Sequence, residues 1–317
     1  MRFMPELPEV ETVRRALAQQ VLGRTIASVQ LSGLKLRAAV ARNLPRRLAG
    51  RTFRTARRHG KYLLLDLDAG QTLISHLGMS GRWLYWPELP PEAVPHLHVR
   101  VRFRGGGELW FQDPPRFGLL RLVPTAALAR DPALRILGPD PLAQPPEGDR
   151  LHALAHGMKV EVKTFLMDQR RIAGIGNIYA SEILFRAGVG PRRRAGLVSR
   201  PQWEAIAREI PAVLGAAAER MGTTFSMYRT LSNEPGTYGE QLMVYDRAGQ
   251  PCRRCGTSIR RVVQGQRSTY FCPSCQGGGR AGTPTRRRAT PPEKPRKGHP
   301  DREFPRPDRP RASRRTR

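Results

Sequence analysis

The sequence is poor in cysteine, in acidic residues and in long apolar runs. Its four cysteines among 317 residues all lie between 252 and 275, which excludes a secreted disulfide scaffold but fits one small metal site. No apolar run approaches the roughly 18 residues that cross a bilayer, and no signal-peptide core follows Met1. We therefore expect a cytoplasmic protein that is not attached to a membrane.

The scarcity of acidic residues indicates a polyanionic partner. The 26 Asp+Glu stand against 55 Lys+Arg, which gives a formal net charge of +29. Lysine and arginine bind nucleic acid by displacing its counterions. The length is that of about two ordinary domains.

Large apolar side chains are almost missing from residues 276–317. This segment has fourteen Lys/Arg, four Asp/Glu and eight prolines. It cannot bury enough surface to offset the entropy of ordering, so we predict a disordered basic tail. Two interpretations of the tail stay open: it holds DNA loosely without specificity, or it is a drifted extension without function.

The apolar period changes once along the chain. Apolar residues in 8–22 repeat at helical spacing, and Gly23 follows as a stop. Strand-like runs come next, at 62–67, 72–76, 98–104 and 108–112. Beyond the Pro-rich stretch 139–146, helical patterns cover 162–168, 178–187 and a segment that Ser199 opens with Gln202 in a capping box.

A glycine turn, Gly174-Ile-Gly-Asn177, runs into the second of these helical segments. Backbone N–H groups and the helix dipole make such a turn a phosphate site, but the same pattern is also ordinary turn chemistry. The sequence leaves both interpretations open.

The cysteine spacing is the strongest local signal. Cys252-x-x-Cys255 and Cys272-x-x-Cys275 are separated by sixteen residues, the spacing of a four-thiolate zinc ribbon. Two disulfides are the alternative, which a chain without secretory features disfavours. We predict one structural Zn²⁺, closed to catalysis because all four positions are filled, with Arg267 in the basic hairpin between the two pairs.

Six motifs carry a family resemblance. The first motif is Met4-Pro-Glu-Leu-Pro-Glu-Val-Glu-Thr-Val-Arg-Arg15. The later motifs are Gly60-Lys-Tyr-Leu-Leu-Leu65, His76-Leu-Gly-Met-Ser-Gly81, Asp113-Pro-Pro-Arg-Phe-Gly118, Leu137-Gly-Pro-Asp-Pro-Leu142 and Gly174-Ile-Gly-Asn-Ile-Tyr-Ala-Ser-Glu182. Together with the ribbon they resemble the formamidopyrimidine-DNA glycosylase and endonuclease VIII family, and they are more similar to the formamidopyrimidine branch.

The resemblance implies an α+β fold and a DNA repair activity. The fold is an N-terminal helix plus antiparallel β sandwich (4–130), a linker (131–150), a helix-two-turn-helix DNA-binding domain (151–240) and a zinc ribbon (241–275). The activity is that of a bifunctional DNA glycosylase/AP lyase of base excision repair, which removes 8-oxoguanine and formamidopyrimidines and cuts by β,δ-elimination. The implied partner is double-stranded DNA with oxidised bases or abasic sites, and we expect a monomer.

The resemblance also assigns four catalytic residues. Pro5 is the nucleophile, a secondary amine that gives an iminium at C1′, and Glu6 protonates the sugar ring oxygen or shuttles protons. An α-amino group has a pKa near ~8, against ~10.4 for lysine, so a usable fraction is unprotonated. Lys61 and Arg267 match the proton donors of β- and δ-elimination, with phosphate clamps as the alternative.

Seven further residues match DNA-binding positions of the family. The positions that grip phosphates around the flipped nucleotide are His96, Lys159, Lys163 and Asn177. The positions that fill the hole left in the duplex are Met79, Arg116 and Phe117. Without the resemblance, Met79 and Phe117 would be expected in the β core.

Two features depart from the family pattern. Pro115 stands where the family has an arginine that reads the base opposite the lesion, which puts opposite-base selectivity in question. Met1-Arg-Phe precedes Met4, and a Pro5 nitrogen bound in an amide has no lone pair for attack. We therefore expect translation to begin at Met4 and its methionine to be removed.

Two other functions compete with this interpretation. One is an endonuclease VIII-like preference for oxidised pyrimidines, because lesion choice lies in loops such as 222–240. The other is a non-catalytic, zinc-containing protein that binds damaged DNA, which a blocked Pro5 would favour.

Overall fold

The computed structural model describes residues 4–88, 94–223 and 236–277. Met1–Phe3, most of the 222–240 loop and almost all of the predicted tail lie outside these residues. None of the helices within them is both long and apolar enough to cross a bilayer.

The N-terminal half is one helix followed by a β sandwich, as predicted. Helix α1 spans Leu7–Val21, and a short helix α2 spans Leu44–Leu48. The strands are β1 (Ile26–Leu31), β2 (Phe53–His59), β3 (Tyr62–Leu67), β4 (Gln71–His76), β5 (Arg82–Trp86), β6 (Leu97–Phe103), β7 (Glu108–Gln112) and β8 (Leu119–Pro124). They form two antiparallel sheets, ordered β1-β6-β7-β5 and β2-β3-β4-β8.

Alternation of apolar and polar residues builds the sandwich core. In β6, Val99 and Val101 are buried while Arg102 is exposed. The rings of Trp83 and Phe111 lie 5.0 Å apart inside the sandwich. The apolar face of α1 packs on the same core, which fixes the position of the chain start relative to both sheets.

The second half is helical and ends in a β hairpin. Its helices are α3 (Gly148–Ala155), α4 (Val162–Met167), α5 (Asn177–Arg186) and α6 (Arg200–Glu219), and the hairpin strands are β9 (Arg260–Gln264) and β10 (Arg267–Phe271). The Ser199–Gln202 capping box is present at the start of α6. Helix α3 begins inside the predicted linker 131–150, so the linker is shorter than predicted. One apolar core joins the helices to Cys252, Tyr270 and Cys272, so the ribbon is packed against them.

Gln276 belongs to the ribbon and not to the tail that we expected to begin there. The residue is only 3% exposed. Its Oε1 accepts a hydrogen bond from Cys272 N and its Nε2 donates one to Val189 O, both at 2.9 Å. The amide therefore satisfies one backbone group after β10 and one after α5, and it ties the end of the ribbon to the helices.

Candidate active site and DNA interface

Pro5 and Glu6 lie buried where α1 meets the turn before α5. Leu7 N donates a hydrogen bond to Gly174 O at 3.1 Å, which ties the chain start to that turn. Gly174 has a φ of +100°, and a Cβ there would lie 2.6 Å from Leu7 Cδ1. Because only glycine combines this conformation with this approach, Gly174 docks the segment that carries Pro5.

The Glu6 carboxylate occupies the N-terminus of α5. Its Oε1 accepts from Ile178 N at 2.9 Å and its Oε2 from Tyr179 N at 3.4 Å. A Cβ at Gly176 would lie 2.3 Å from Glu6 Cδ, so the second glycine of the turn makes room for this side chain. The anion at this helix N-terminus is therefore a carboxylate of the chain itself, which replaces the phosphate interpretation.

Burial raises the pKa of Glu6 above that of an ordinary glutamate. The positive charge of Lys61 and the hydrogen bonds from the α5 backbone act in the opposite direction without cancelling the effect of burial. A carboxyl group with a raised pKa holds its proton closer to neutral pH, which suits a proton donor.

A second buried carboxyl group, Glu9, lies beside Glu6. Its Oε1 accepts from Tyr179 Oη at 2.5 Å and from Thr223 N at 2.7 Å, and its Oε2 accepts from Glu6 N at 2.9 Å. Burial and the nearby charge of Glu6 raise the pKa of Glu9 to about 7. No role is predicted for Glu9 from the sequence, although its place three residues after Glu6, in the first turn of α1, is the signal for a capping contact.

Lys61 lies in the turn between β2 and β3, held by a buried ion pair. Asp140 Oδ2 accepts from Gly60 N at 2.8 Å, and Arg58 Nη1 donates to Gly60 O at 3.0 Å. Arg58 also pairs with Asp140 and, at 3.1 Å, with Glu11 Oε2. Asp140 belongs to the motif Leu137–Leu142, but the sequence does not reveal this contact, because it links residues 80 positions apart.

Lys61 lies close enough to Glu6 and Arg267 for both charges to shift its pKa. Burial lowers the pKa of Lys61, the charge of Arg267 adds to the decrease, and the charge of Glu6 opposes it. Arg267 itself is exposed at the start of β10. The fold thus gathers the four residues to which the resemblance assigned catalysis from the chain start, the first sandwich hairpin and the ribbon.

Lys163 and Asn177 hold the ribbon hairpin against α4 and α5. Lys163 Nζ donates to Asn177 Oδ1 at 2.5 Å and to Thr269 Oγ1 at 2.6 Å, and Asn177 Nδ2 donates to Ser268 O at 2.9 Å. Lys163 is 1% exposed, and burial lowers its pKa to about 7. The lysine predicted to grip a phosphate is therefore engaged within the protein, where it positions the strand that begins at Arg267.

The proposed duplex-filling residues lie on two adjoining loops. Phe117 is 41% exposed, Arg116 is exposed and Met79 is half-buried, so the β-core interpretation of Met79 and Phe117 is wrong. A Cβ at Gly78 would lie 2.5 Å from the backbone carbon of Phe117, which shows that the loops touch. Asp113 orders the second loop, because its Oδ2 accepts from the Gly118 N–H at 2.6 Å.

Two predicted phosphate contacts are exposed. His96 lies just before β6 and Lys159 between α3 and α4. Both side chains are therefore open to a ligand, unlike Lys163.

The four cysteines form one cluster whose geometry fits zinc. Their Sγ atoms all lie within 4.8 Å of one another, with 3.9 Å between Cys252 and Cys275 and 3.5 Å between Cys255 and Cys272. Thiolates about 2.3 Å from a tetrahedral zinc ion are about 3.8 Å apart. None of the four is in a disulfide, so the alternative of two disulfides is wrong. All four ligand positions come from the chain, which makes the Zn²⁺ site structural.

Sequence models of three domains match the chain in the order of the fold. The formamidopyrimidine-DNA glycosylase N-terminal domain matches residues 4–120, and the formamidopyrimidine-DNA glycosylase H2TH domain matches 137–229. The zinc finger found in FPG and IleRS matches 249–277.

Comparisons of the whole chain with known proteins agree with these domain matches. Formamidopyrimidine-DNA glycosylase of Methylococcus capsulatus is 48% identical over 274 residues, which cover 86% of this chain and 100% of that protein. Lactococcus lactis Fpg in complex with abasic-site DNA is 29% identical with a TM-score of 0.78, covering 86% of this chain and 99% of that one. A mutant of the same enzyme in complex with Fapy-dG DNA is 30% identical with a TM-score of 0.80, covering 86% of this chain and 100% of that one. This chain belongs to the formamidopyrimidine-DNA glycosylase family.

Proposed function

We propose that this protein is a bifunctional DNA glycosylase and AP lyase that removes oxidised purines from double-stranded DNA in the bacterial cytoplasm. The observation that carries the proposal is the placement of Glu6 on the α5 N-terminus beside Pro5, where its charge interacts with that of Lys61. Lys61 in turn interacts with the charge of Arg267. The Lactococcus lactis complexes with abasic-site and Fapy-dG DNA support the choice of substrate.

Base removal begins at Pro5. A free Pro5 amine attacks C1′, the glycosidic electron pair leaves with the base, and the base takes up a proton. The amine loses its own proton, Glu6 protonates O4′ as the C1′–O4′ bond breaks, and the nitrogen lone pair forms the iminium. Because burial raises the pKa of Glu6, its carboxyl can hold the required proton before this step.

Strand cleavage follows from the iminium. The positive nitrogen makes the C2′ proton acidic, and its loss expels the 3′ phosphate. Lys61, whose pKa is lowered by burial, is a stronger acid than an ordinary lysine and supplies a proton to this leaving group. Arg267 assists the second elimination, which expels the 5′ phosphate.

The DNA is held by residues on both halves of the fold. We assign phosphate contacts to His96, Lys159 and Asn177, and the filling of the vacated duplex position to Met79, Arg116 and Phe117. Lys163, which is buried and bonded to Asn177 and Thr269, is assigned to holding the ribbon in place. The exposure of Phe117 and the contact between its loop and that of Met79 support the second assignment. Since Lys163 already bonds to the ribbon, its assigned contribution includes the placement of Arg267.

Single-turnover excision from defined duplexes tests the function. With Pro5 as the first residue, the protein should excise 8-oxoguanine and formamidopyrimidine faster than oxidised pyrimidines. Glu6→Gln should slow excision by roughly 10²–10⁴-fold, because a general acid contributes about that much. Glu204→Gln, at a surface carboxylate that is 57% exposed on α6, is the matched control and should leave the rate unchanged.

Two outcomes would replace the proposal. Faster excision of oxidised pyrimidines would make the protein endonuclease VIII-like. Binding of lesion duplexes without any cutting would make it a non-catalytic damaged-DNA-binding protein.

Opposite-base discrimination should be weak because of Pro115. A guanidinium donates two hydrogen bonds to an unpaired cytosine, whereas proline has no donor. One bidentate base contact contributes ~1–3 kcal/mol of discrimination. Pro115→Arg should therefore raise the preference for cytosine over adenine opposite 8-oxoguanine roughly tenfold to a hundredfold, measured as a ratio of single-turnover rates.

The neighbouring Pro114 provides the control for this substitution. It is half-buried in the same loop, as Pro115 is, so Pro114→Arg adds the same charge one residue away. Strong and equal discrimination by the unaltered protein and by Pro115→Arg would show that the opposite base is read elsewhere.

A further inference from the structure

The side-chain amide of Gln169 holds the turn between α4 and α5. Its Nε2 donates to Met167 O at 2.9 Å and to Ile175 O at 2.8 Å, and its Oε1 accepts from Gly174 N at 2.8 Å. Both hydrogens of the amide nitrogen and the amide oxygen are therefore engaged. Met167 is the last residue of α4, so one side chain ties the end of that helix to the glycine turn before α5.

The backbone groups that Gln169 binds lie inside the protein. Gly174 and Ile175 are both buried, so loss of the amide would take a hydrogen-bond partner from two backbone groups away from water. The main chain of Gln169 is fixed as well, because Gly138 N donates to its carbonyl oxygen at 2.8 Å. The glutamine is thus anchored to the linker through its backbone and to the turn through its side chain.

Gly174 is where two catalytic segments of the N-terminal half meet. Its carbonyl oxygen accepts the hydrogen bond from Leu7 N, two residues after Pro5. Its nitrogen lies beside the turn that carries Lys61, because a Cβ at Gly60 would lie only 3.2 Å from it. A shift of the Gly174 backbone would therefore move the chain start relative to Lys61.

We propose that Gln169 is a positioning residue that holds the Gly174 turn, and with it Pro5, in place for the attack on C1′. The inference rests on the proposed function. Two carbonyl oxygens and one N–H converge on this side chain, and only an amide offers two donors and an acceptor together, since a carboxylate has no donor and an ammonium group no acceptor. Gln169 acts through the turn and is not assigned to the DNA.

Loss of the amide should slow the chemistry and spare the binding. In the full-length protein that begins at Pro5, Gln169→Ala should slow single-turnover excision of 8-oxoguanine by roughly 10²-fold, because a misplacement of about 1 Å costs about that much. Affinity for a non-cleavable abasic analogue should be unchanged. Gln144→Ala is the matched control, since it removes the same amide from an exposed position in the linker, and its rate should equal that of the unaltered protein.

Gln169→Glu separates positioning from a general loss of packing. The ionised carboxylate keeps the acceptor for Gly174 N but places an oxygen against Met167 O and Ile175 O, whereas the protonated carboxyl regains one donor. The excision rate of Gln169→Glu, divided by that of the unaltered protein at the same pH, should therefore rise as the pH is lowered. The same ratio for Gln169→Ala should stay constant, because alanine does not titrate.

The ratio is needed because other charged or titratable groups lie around the turn. Those on the turn itself are Asp168, Arg170 and Arg171, and those on the elements packed against it are Glu6 of the chain start, His59 and Lys61 of the β2–β3 hairpin and Asp140 of the linker. They are identical in the variants and in the unaltered protein, so their own titration divides out of the comparison.

Three results would overturn the role of Gln169. They are full excision activity in folded Gln169→Ala, an equal loss of rate and of affinity for the analogue, and a deficit of Gln169→Glu that does not change with pH. If thermal unfolding shows that Gln169→Ala is not folded, the pH dependence of Gln169→Glu decides alone. Any of these results with an unaltered protein that excises lesions leaves the proposed function standing, whereas an unaltered protein that excises none refutes that function and the role of Gln169 with it.

Discussion

Borohydride should trap a covalent adduct between abasic-site DNA and a protein whose first residue is Pro5, and none with a protein that retains Met4. The reason is that an amide nitrogen has its lone pair delocalised into the carbonyl, so it cannot attack C1′. Met4 is 40% exposed, so its loss removes nothing from the core. The trapped fraction, measured by gel electrophoresis, should fall from most of the DNA to the background obtained with undamaged DNA.

Binding provides the control for this comparison. Both proteins should bind a non-cleavable abasic analogue alike, because Glu6, Lys61 and the ribbon are the same in both. Equal trapping by a protein verified by mass to retain Met4 would contradict the role of Pro5 as an amine.

Removal of zinc should have the second largest effect. The free energy of metal binding to such sites, about 10–16 kcal/mol, is largely folding free energy. Cys272→Ser should therefore release the ion and unfold the β9–β10 hairpin, and Lys163 would then lose its bond to Thr269. Since Arg267 leaves the site with the hairpin, cutting of abasic DNA should fall by roughly 10²-fold or more.

Ser274→Ala is the control within the ribbon. Ser274 is exposed between Cys272 and Cys275 and is not a member of the sulfur cluster, so its loss should leave zinc content and cutting unchanged. Lesion cutting by purified protein that contains no zinc on elemental analysis would refute the structural role of the ion.

Local patterns determined most of the architecture. The helical repeat of 8–22, the alternation in 98–104 and the Ser199–Gln202 box all became the predicted elements, because each depends on neighbours within one element. The cysteine pairs likewise defined their cluster through spacing alone. The boundary at Gln276 was misjudged because its burial depends on a hydrogen bond to Val189, far away in sequence.

Only the tertiary structure decided the electrostatics of the site. From the sequence, the glycine turn could be a phosphate site or an ordinary turn, and the family resemblance assigned Lys163 to phosphate. In the fold, Glu6 takes the α5 N-terminus from 172 positions away, and Lys163 is buried against the ribbon from 106 positions away. Sequence spacing cannot show such contacts, because a charged side chain is buried only where distant elements meet and supply its hydrogen bonds. The sequence by itself determined which reactive groups this protein contains. The packing of its two halves and its ribbon decided which of these groups lie in contact.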